Sequence, residues 1–467
     1  MGCRNSSSAS ARHERRSTLD KALNSDEISR TDLALIEDGL FSDLQAARHH
    51  MATFQPSIII GPDSANSLAG QAALLSAVTT AVRAFGGAHV ELPRDAANLW
   101  RGSERALLHD VVSELGGVIG YTPARVAVVI GDAQVKHPDD FSHITRATWD
   151  GWRAAVVPGH DAPRHAEDDG WVLGPLAAGA LAINELFDLV KGRTRALLKS
   201  VRLDLWNPSR ENQVSSTPPP RIDLPADWWL VGLGHLGQAA AWALSWLPLP
   251  EHSTPRVTLQ DDEHLVEANI STSLCSHLSD LGHSKARVTS ELLERAGYTT
   301  RIIERRLDPA FISRPEEQPV VLVGVDNPDT RRTIDEHGWP LVIDTGLGSG
   351  SNDFGAISIH VFPGGIRSAD VPSWRVASGA AQRRAAARLT KPGFAALSRD
   401  HDICGIETLA GVNVAASFVG LVASCLGIAE ALKNTSNGPT LDAVSLEMWD
   451  IEPTSVPGTR RRVPTSR

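Results

Sequence analysis

The sequence predicts an α/β protein: two Rossmann-like units in pseudo-repeat with mainly parallel sheets, the first unit degenerate. Three observations carry this. Short apolar, β-branched runs alternate with Ala-rich helical stretches in both halves. Segments of the first half reappear, in order, in the second. One strand of the second half runs straight into a Gly-rich turn and a helix.

Ser57–Gly61 and Trp228–Gly232 are each a strand closed by glycine. Gly70-Gln71-Ala72-Ala73 returns as Gly237-Gln238-Ala239-Ala240, and Val126–Asp132 as Val320–Asp326. Gly151-Trp152 before Val156–Gly159 returns as Gly338-Trp339 before Leu341–Ile343. Gly174–Lys191 and Phe418–Lys433 are Ala-rich helices with an acid and a lysine near the end. Around them the chain divides into a Ser/Arg-rich and then helical extension (1–55), a first unit (56–206) and a Pro/Ser-rich linker (207–226). A second unit (227–433) and a polar, solvated tail (434–467) follow. In the extension, Leu33, Ile36, Leu40, Leu44 and Ala47 have helical spacing, which predicts a helix or helical hairpin over 26–52.

Composition narrows the function. The 467 residues carry a formal charge of −10, which argues against a general nucleic-acid coat. Leu173–Val190 is the longest apolar helical run, but Asn184, Glu185 and Asp188 interrupt it, so no membrane partner is expected. Four cysteines without CxxC spacing exclude a zinc ribbon and fit a reducing cytoplasm. Met1-Gly2-Cys3 at the start resembles a lipidation pattern and is read as a chance match. His49 and His50 are read as solvated, and Trp228 and Trp229 as packing residues.

The second unit carries the candidate chemistry. Gly232-Leu-Gly234-His-Leu-Gly237 after a buried strand allows a tight turn, a close phosphate and a helix packed on the strand. Asp261, ending the next strand 24 residues after Gly237, suits ribose hydroxyls. To this point a nicotinamide dehydrogenase fits equally. Asp261 and Glu263 then precede Asn269 by eight and six residues, and Lys285 follows sixteen later. Asp326-Asn327-Pro-Asp-Thr-Arg331 follows a further strand. A dehydrogenase leaves Asn269, Lys285 and Asp326 without a purpose.

That series, D-x-E…N, G-x-x-K, then D-N-x-x-x-R, resembles the ThiF/MoeB-type, ubiquitin-activating-enzyme-like adenylyltransferases, in a fused form with an inactive first half. The resemblance spans about 226–433 at motif level, with 56–193 as the inactive partner. It implies ATP-dependent adenylation of the C-terminal carboxylate of a small ubiquitin-like or sulfur-carrier protein. It implies Mg²⁺ on Asp326 and phosphates near Lys285. Nucleotide contacts fall to Gly232, Gly234, Gly237, Asp261, Glu263, Asn269 and Asn327. One departure stands out: the family arginine three residues after the Asn is Thr272, so an arginine from elsewhere must substitute or activity is weakened.

Cys404, in His401-Asp402-Ile403-Cys404-Gly405, closes a crossover segment of about 366–404 and is the candidate thioester nucleophile. Cys275 is a weaker candidate, and Cys425 lies in an apolar helix. Two alternatives stay open: adenylation without a thioester on a peptide or tRNA substrate, and an inactive nucleotide-binding scaffold. A conjugating enzyme as a further partner, a pseudo-dimer within the chain and a homodimer of chains complete the expectations.

Overall fold

The computed structural model describes residues 24–159, 163–208, 217–219, 222–250, 252–314, 316–375, 380–398, 403–436 and 438–458. Two sheets organise them. The first contains β1 (Ser57–Ile60), β2 (His89–Glu91), β3 (Val118–Ile119), β4 (Val126–Ile130), β5 (His143–Asp150), β6 (Arg153–Pro158) and β7 (Val201–Asp204). The second contains β8 (Asp227–Val231), β9 (Arg256–Gln260), β10 (Thr299–Ile303), β11 (Val320–Val323), β12 (Leu341–Leu347), β13 (Ala356–Phe362), β14 (Leu441–Glu447) and β15 (Asp450–Pro457).

The strand orders are β3-β2-β1-β4-β5-β6-β7 and β10-β9-β8-β11-β12-β13-β14-β15. The first five strands of each order run parallel and the rest antiparallel. The two units therefore share one topology, as the echoes predict. In both, the strand order reverses beside the central strand, where a crevice opens at the carboxyl ends.

Helices α1 (Leu33–Glu37), α2 (Leu44–Ala52), α3 (Pro62–Ala65), α4 (Leu68–Phe85), α5 (Leu108–Glu114) and α6 (Leu173–Val190) belong to the first half. The second half has α7 (His235–Leu244), α8 (Glu267–Ile270), α9 (Lys285–Arg295), α10 (Pro328–Arg331), α11 (Ala380–Leu389), α12 (Pro392–Leu397), α13 (Ile403–Ala410) and α14 (Ser417–Thr435). Among the described residues, α4, α6 and α14 are long and apolar enough to cross a membrane, by length and composition. In this fold 89%, 94% and 94% of their apolar windows are buried. Together with α7 they form the layer between the sheets.

The core follows strand periodicity. Trp228 and Leu230 face this shared layer, while Trp229 and Val231 face a second cluster on the outer side with Trp339 and Phe362. Being buried on both faces is why these strands read as continuous apolar runs. Across the layer, Trp100 Nε1 donates to Ser245 Oγ at 3.1 Å and Trp242 Nε1 to Ser76 Oγ at 3.3 Å. The buried lysines ending α6 and α14 reach across reciprocally: Lys191 Nζ donates to Ser351 O at 2.7 Å and Lys433 Nζ to Trp206 O at 3.3 Å.

Two expectations need correction. The polar tail from 434 is not simply solvated: β14 and β15 occupy 441–457 and extend the second sheet. β14 is the counterpart of β7, and the signal is present in the sequence. Val201-Arg-Leu-Asp-Leu-Trp206 is echoed by Val444-Ser-Leu-Glu-Met-Trp449. The extension, expected as a helix or helical hairpin, is two short helices, because Gly39 turns at φ 74° and Asp43 Oδ1 starts α2 by accepting Ala46 N–H at 2.6 Å. Leu40, at the break, is half exposed. His49 is exposed as expected, but His50 packs between Phe41 and Phe54, at 4.9 and 5.1 Å between ring centres.

The extension is part of the core all the same. Every residue of α1 is buried. Glu37 is gripped by Arg388 at 2.7 Å and Lys391 at 2.6 Å, and Asp38 by Lys191 at 2.5 Å. These pairs tie α1 to the first unit and to the segment around α11 and α12.

Candidate nucleotide and acyl-transfer site

The crevice of the second sheet is built from two loops in contact. After β8, Gly232 takes φ 82°, a left-handed conformation that a side chain would strain. A Cβ on Gly237 would lie 2.0 Å from Gly232 O, so only glycine lets α7 start this close to the strand. A Cβ on Gly234 would meet nothing within 4 Å, which leaves open space at the start of α7. A Cβ on Gly232 would crowd Val325 Cγ1 at 3.0 Å. The glycine loop therefore lies directly against the loop that carries Asp326.

Asp261 joins the site from β9. Its carboxylate accepts Leu233 N–H at 2.6 Å and Glu263 N–H at 2.8 Å, linking the glycine loop to the next turn. Burial pushes its carboxyl above the usual range, against those two hydrogen bonds. A carboxylate has about four acceptor sites, so capacity for ribose hydroxyls remains. Lys285 sits at the first position of α9, and its Nζ pairs with Glu263 Oε2 at 2.5 Å. The hydrogen bond and charge of Lys285 hold Glu263 below the ordinary range. A pairing of His264 with Ser284 brings the two segments together.

Asp326 and Asn327 follow β11 and are exposed. Among the described residues Asp326 makes no hydrogen bond or ion pair. Asn327 Oδ1 accepts Asp329 N–H at 2.9 Å and caps α10. Asn269 Oδ1 likewise accepts Val266 N–H at 3.1 Å and is committed to its own turn. The structure thus assembles Gly232, Gly234, Gly237, Asp261, Glu263, Lys285 and Asp326 at one sheet end. It uses the two asparagines as local caps.

No group of three or more His, Cys, Asp or Glu suited to a metal occurs among the described residues. Mg²⁺ asks for less, since it is commonly held by one or two carboxylates with waters and substrate phosphates. An open, unengaged Asp326 fits that use.

Thr272 is buried, with its hydroxyl on Asn269 O at 3.3 Å. Two arginines from outside the second unit approach this turn. Arg83 of α4 donates from Nη2 to Ser276 O beneath the loop, while its Nε has no hydrogen-bond partner among the described residues, and burial lowers its guanidinium to about 10. Arg30 of the extension stands on Ser271, with its N–H donating to Oγ at 3.0 Å. Its Nη1 is buried without a hydrogen-bond partner among the described residues. Sequence reasoning missed Arg30, which lies 241 positions from its contact and in no motif.

The cysteines separate cleanly. Cys275 Sγ donates to Gln238 O at 3.1 Å, and burial pushes its thiol up to about 12, which disfavours a thiolate. Cys425 is buried in α14 and its thiol is also raised. Cys404 is the second residue of α13, and its side chain lies outside the described residues, as do Arg399 and His401.

The doubled Rossmann-like fold and this cleft define a protein of the ThiF/E1-like class. Family models place the particular branch: a BilD N-terminal domain matches residues 56–205 and a BilD C-terminal domain residues 224–438. The bacterial E1-like protein BilD of Collimonas sp. (strain OK412) is 32% identical over 430 residues, covering 89% of this chain and 91% of that protein. The chain belongs to the BilD family of bacterial E1-like proteins. Among solved structures, E. coli MccB overlaps at TM-score 0.35 and 14% identity, over 69% of this chain and 95% of MccB. MccB with ATP overlaps at 0.35 and 13%, over 68% and 95%. These overlaps are too loose to transfer a function.

Proposed function

We propose that the second unit is an ATP-dependent adenylating enzyme acting on the C-terminal carboxylate of a polypeptide. A carboxylate oxygen attacks the α-phosphorus of ATP, the bond to the β-phosphate breaks, and pyrophosphate leaves with its electron pair. The observation that carries this reading is the contrast within one cleft between committed and uncommitted groups. Asp261 and Lys285 are held by Leu233, Glu263 and one another's loops, while Asp326 is open beside the glycine turn. Gly234 and the start of α7 suit phosphate, and Asp261 suits the ribose. Lys285 meets phosphate by exchanging its Glu263 partner. Arg30 takes the role left vacant at Thr272: its backbone N–H stands on Ser271, and its Nη1 has no hydrogen-bond partner among the described residues. Asp326 would hold Mg²⁺, which would supply charge neutralisation to the phosphates.

The acyl adenylate is the product that this geometry explains, so the reading needs no thioester and accommodates a peptide substrate. The family's E1-like designation favours a second reading: a ubiquitin-like or sulfur-carrier protein as substrate, a Cys404 thiolate displacing AMP from the acyl carbon, and transfer to a conjugating enzyme. Either reaction suits a cytoplasmic protein. The first unit serves as scaffold and binds no nucleotide. Pyrophosphate release from MgATP, measured with candidate polypeptides ending in a free carboxylate, tests the proposal. Loss in Asp326→Ala is expected, and no release with any such substrate leaves only a binding scaffold. A thiol-reducible adduct abolished in Cys404→Ala decides for the second reading.

A further inference from the structure

The buried carboxylate of Asp344 has no part in the chemistry above. It is the fourth residue of β12, paired with Val323 of β11 on one side and with His360 of β13 on the other. It is fully buried, and among the described residues neither oxygen accepts a hydrogen bond. An ionised carboxylate in such a place needs a compensating charge. Arg331, at the end of α10, supplies it with Nε 3.3 Å from Oδ1. His360 Nδ1 stands 3.8 Å from Oδ2 and packs edge-on to Trp374 at 5.0 Å.

Arg331 faces the other way as well. Its Nε donates to Val325 O and its Nη2 to Thr345 O, each at 2.8 Å. A Cβ on Gly346 would come within 2.9 Å of Nη1, so that glycine makes room for the guanidinium. Val325 O belongs to the peptide that leads into Asp326. Because Asp326 has no side-chain partner among the described residues, the backbone on either side sets where its carboxylate stands.

The first unit shows the same brace built differently. Val129 pairs with Arg146 as Val323 pairs with Asp344. Arg146 donates directly to Gly131 O and Ala133 O, the carbonyls flanking Asp132. An arginine holds this loop in both units. In the second it comes from the loop's own helix, and the strand position carries its counter-charge.

We propose that Asp344 is a positioning residue that, through Arg331, fixes the Val325–Asp326 peptide and so sets the site's affinity for Mg²⁺. The magnesium part rests on the proposed function; the loop-fixing part does not. The test compares wild type, Asp344→Asn and the double variant Asp344→Asn/Arg331→Met, in which no buried charge remains. Two quantities are read: amide hydrogen exchange in peptides covering 320–332, and the Mg²⁺ concentration that half-saturates binding of a non-hydrolysable ATP analogue. Asp344→Asn is expected to speed exchange in that loop and to raise the half-saturating Mg²⁺ about tenfold or more. Analogue binding at saturating Mg²⁺ should stay near the wild-type level. The double variant is expected to regain the melting temperature but neither of these properties. Wild-type exchange and wild-type Mg²⁺ dependence in Asp344→Asn overturn the proposal, as does full recovery of both in the double variant. Faster loop exchange in Asp344→Asn, with analogue binding by wild type indifferent to Mg²⁺, keeps the brace and sinks the adenylation reading instead.

Discussion

Asp132 and Asp326 occupy the same place in the two units, and they behave in opposite ways. After β4, Asp132 turns back onto the loop following β1, where its oxygens accept Ser64 N–H at 2.8 Å and Asp63 N–H at 3.1 Å. Ser64 Oγ in turn accepts Asp132 N–H at 3.2 Å. These bonds hold the Asp132 carboxyl below its usual range, against the opposing effect of burial. A Cβ on Gly61 would fall 2.4 Å from that carboxylate. After β11, Asp326 makes no such bond, and the start of α7 is open at Gly234. The first unit has closed its turn with its own anion, while the second has left the corresponding donors and carboxylate free. The lesson is that a degenerate copy can lose a site by satisfying it internally, with the fold around it unchanged.

The largest expected effect breaks this comparison directly. Asp326→Ala should reduce pyrophosphate release at least about a hundredfold. Its melting temperature should stay at the wild-type value, since the side chain holds nothing. Asp132→Ala should do the reverse: unchanged release, with stability lowered by about 1 kcal/mol and the melting temperature by about 1 °C. A substantial loss of release in Asp132→Ala would mean that the first unit takes part in the chemistry.

Next in size is the arginine. Arg30→Ala should lower kcat/KM for pyrophosphate release about tenfold to a hundredfold. Thr272→Arg in that background should recover part of it by restoring the cation on α8's own turn. Full activity in Arg30→Ala would hand the role to another residue. Arg83, which donates to Ser276 O beneath the same loop, is the next candidate.

These two cases also mark what the sequence made legible. The fold class, the glycine turn, Asp261, Glu263, Lys285 and Asp326 all belong to short stretches in which local spacing and final geometry coincide. Glycines are readable because the turn admits nothing else, as the 2.0 Å approach at Gly237 shows. Asn269 and Asn327 stand in the nucleotide motif, but a motif names residues and not their hydrogen bonds, and here each Oδ1 caps a helix. Arg30 and Asp344 were invisible for the opposite reason. Each acts through a contact made by tertiary packing, with no motif around it. The hairpin at 441–457 was missed because β15 alternates exposed and half-buried residues, so its apolar content reads as tail. Only the Val-x-Leu-acid-x-Trp echo of β7 gives β14 away.

The remaining predicted effect sharpens the comparison through pH. His235, inside the glycine turn of the second unit, is buried against Gly420 of α14, and burial lowers its pKa to about 4. The unfolded chain binds its proton at an ordinary value near 6.5, so the folded state binds fewer protons between the two. That stability is fully present above about pH 6.5 and is lost as pH falls toward 4. Asp188, at the end of α6 in the first unit, has the opposite sign. Burial raises it to about 7 from 3.8, so the folded state holds a proton that the unfolded chain has released. Its contribution is present below the unfolded value and is lost as pH rises toward 7. Asp188→Asn should therefore raise the melting temperature by a few degrees at pH 8 and leave it unchanged near pH 4. His235→Asn should flatten the decline between pH 6.5 and 4, where wild type gives up about 2–3 kcal/mol from this one group. Melting curves of the three proteins across pH 4 to 8 read both slopes at once. Parallel profiles for wild type and His235→Asn would show that the imidazole takes up its proton in the folded state as easily as in water, and that the packing of α7 on α14 does not depend on its neutrality.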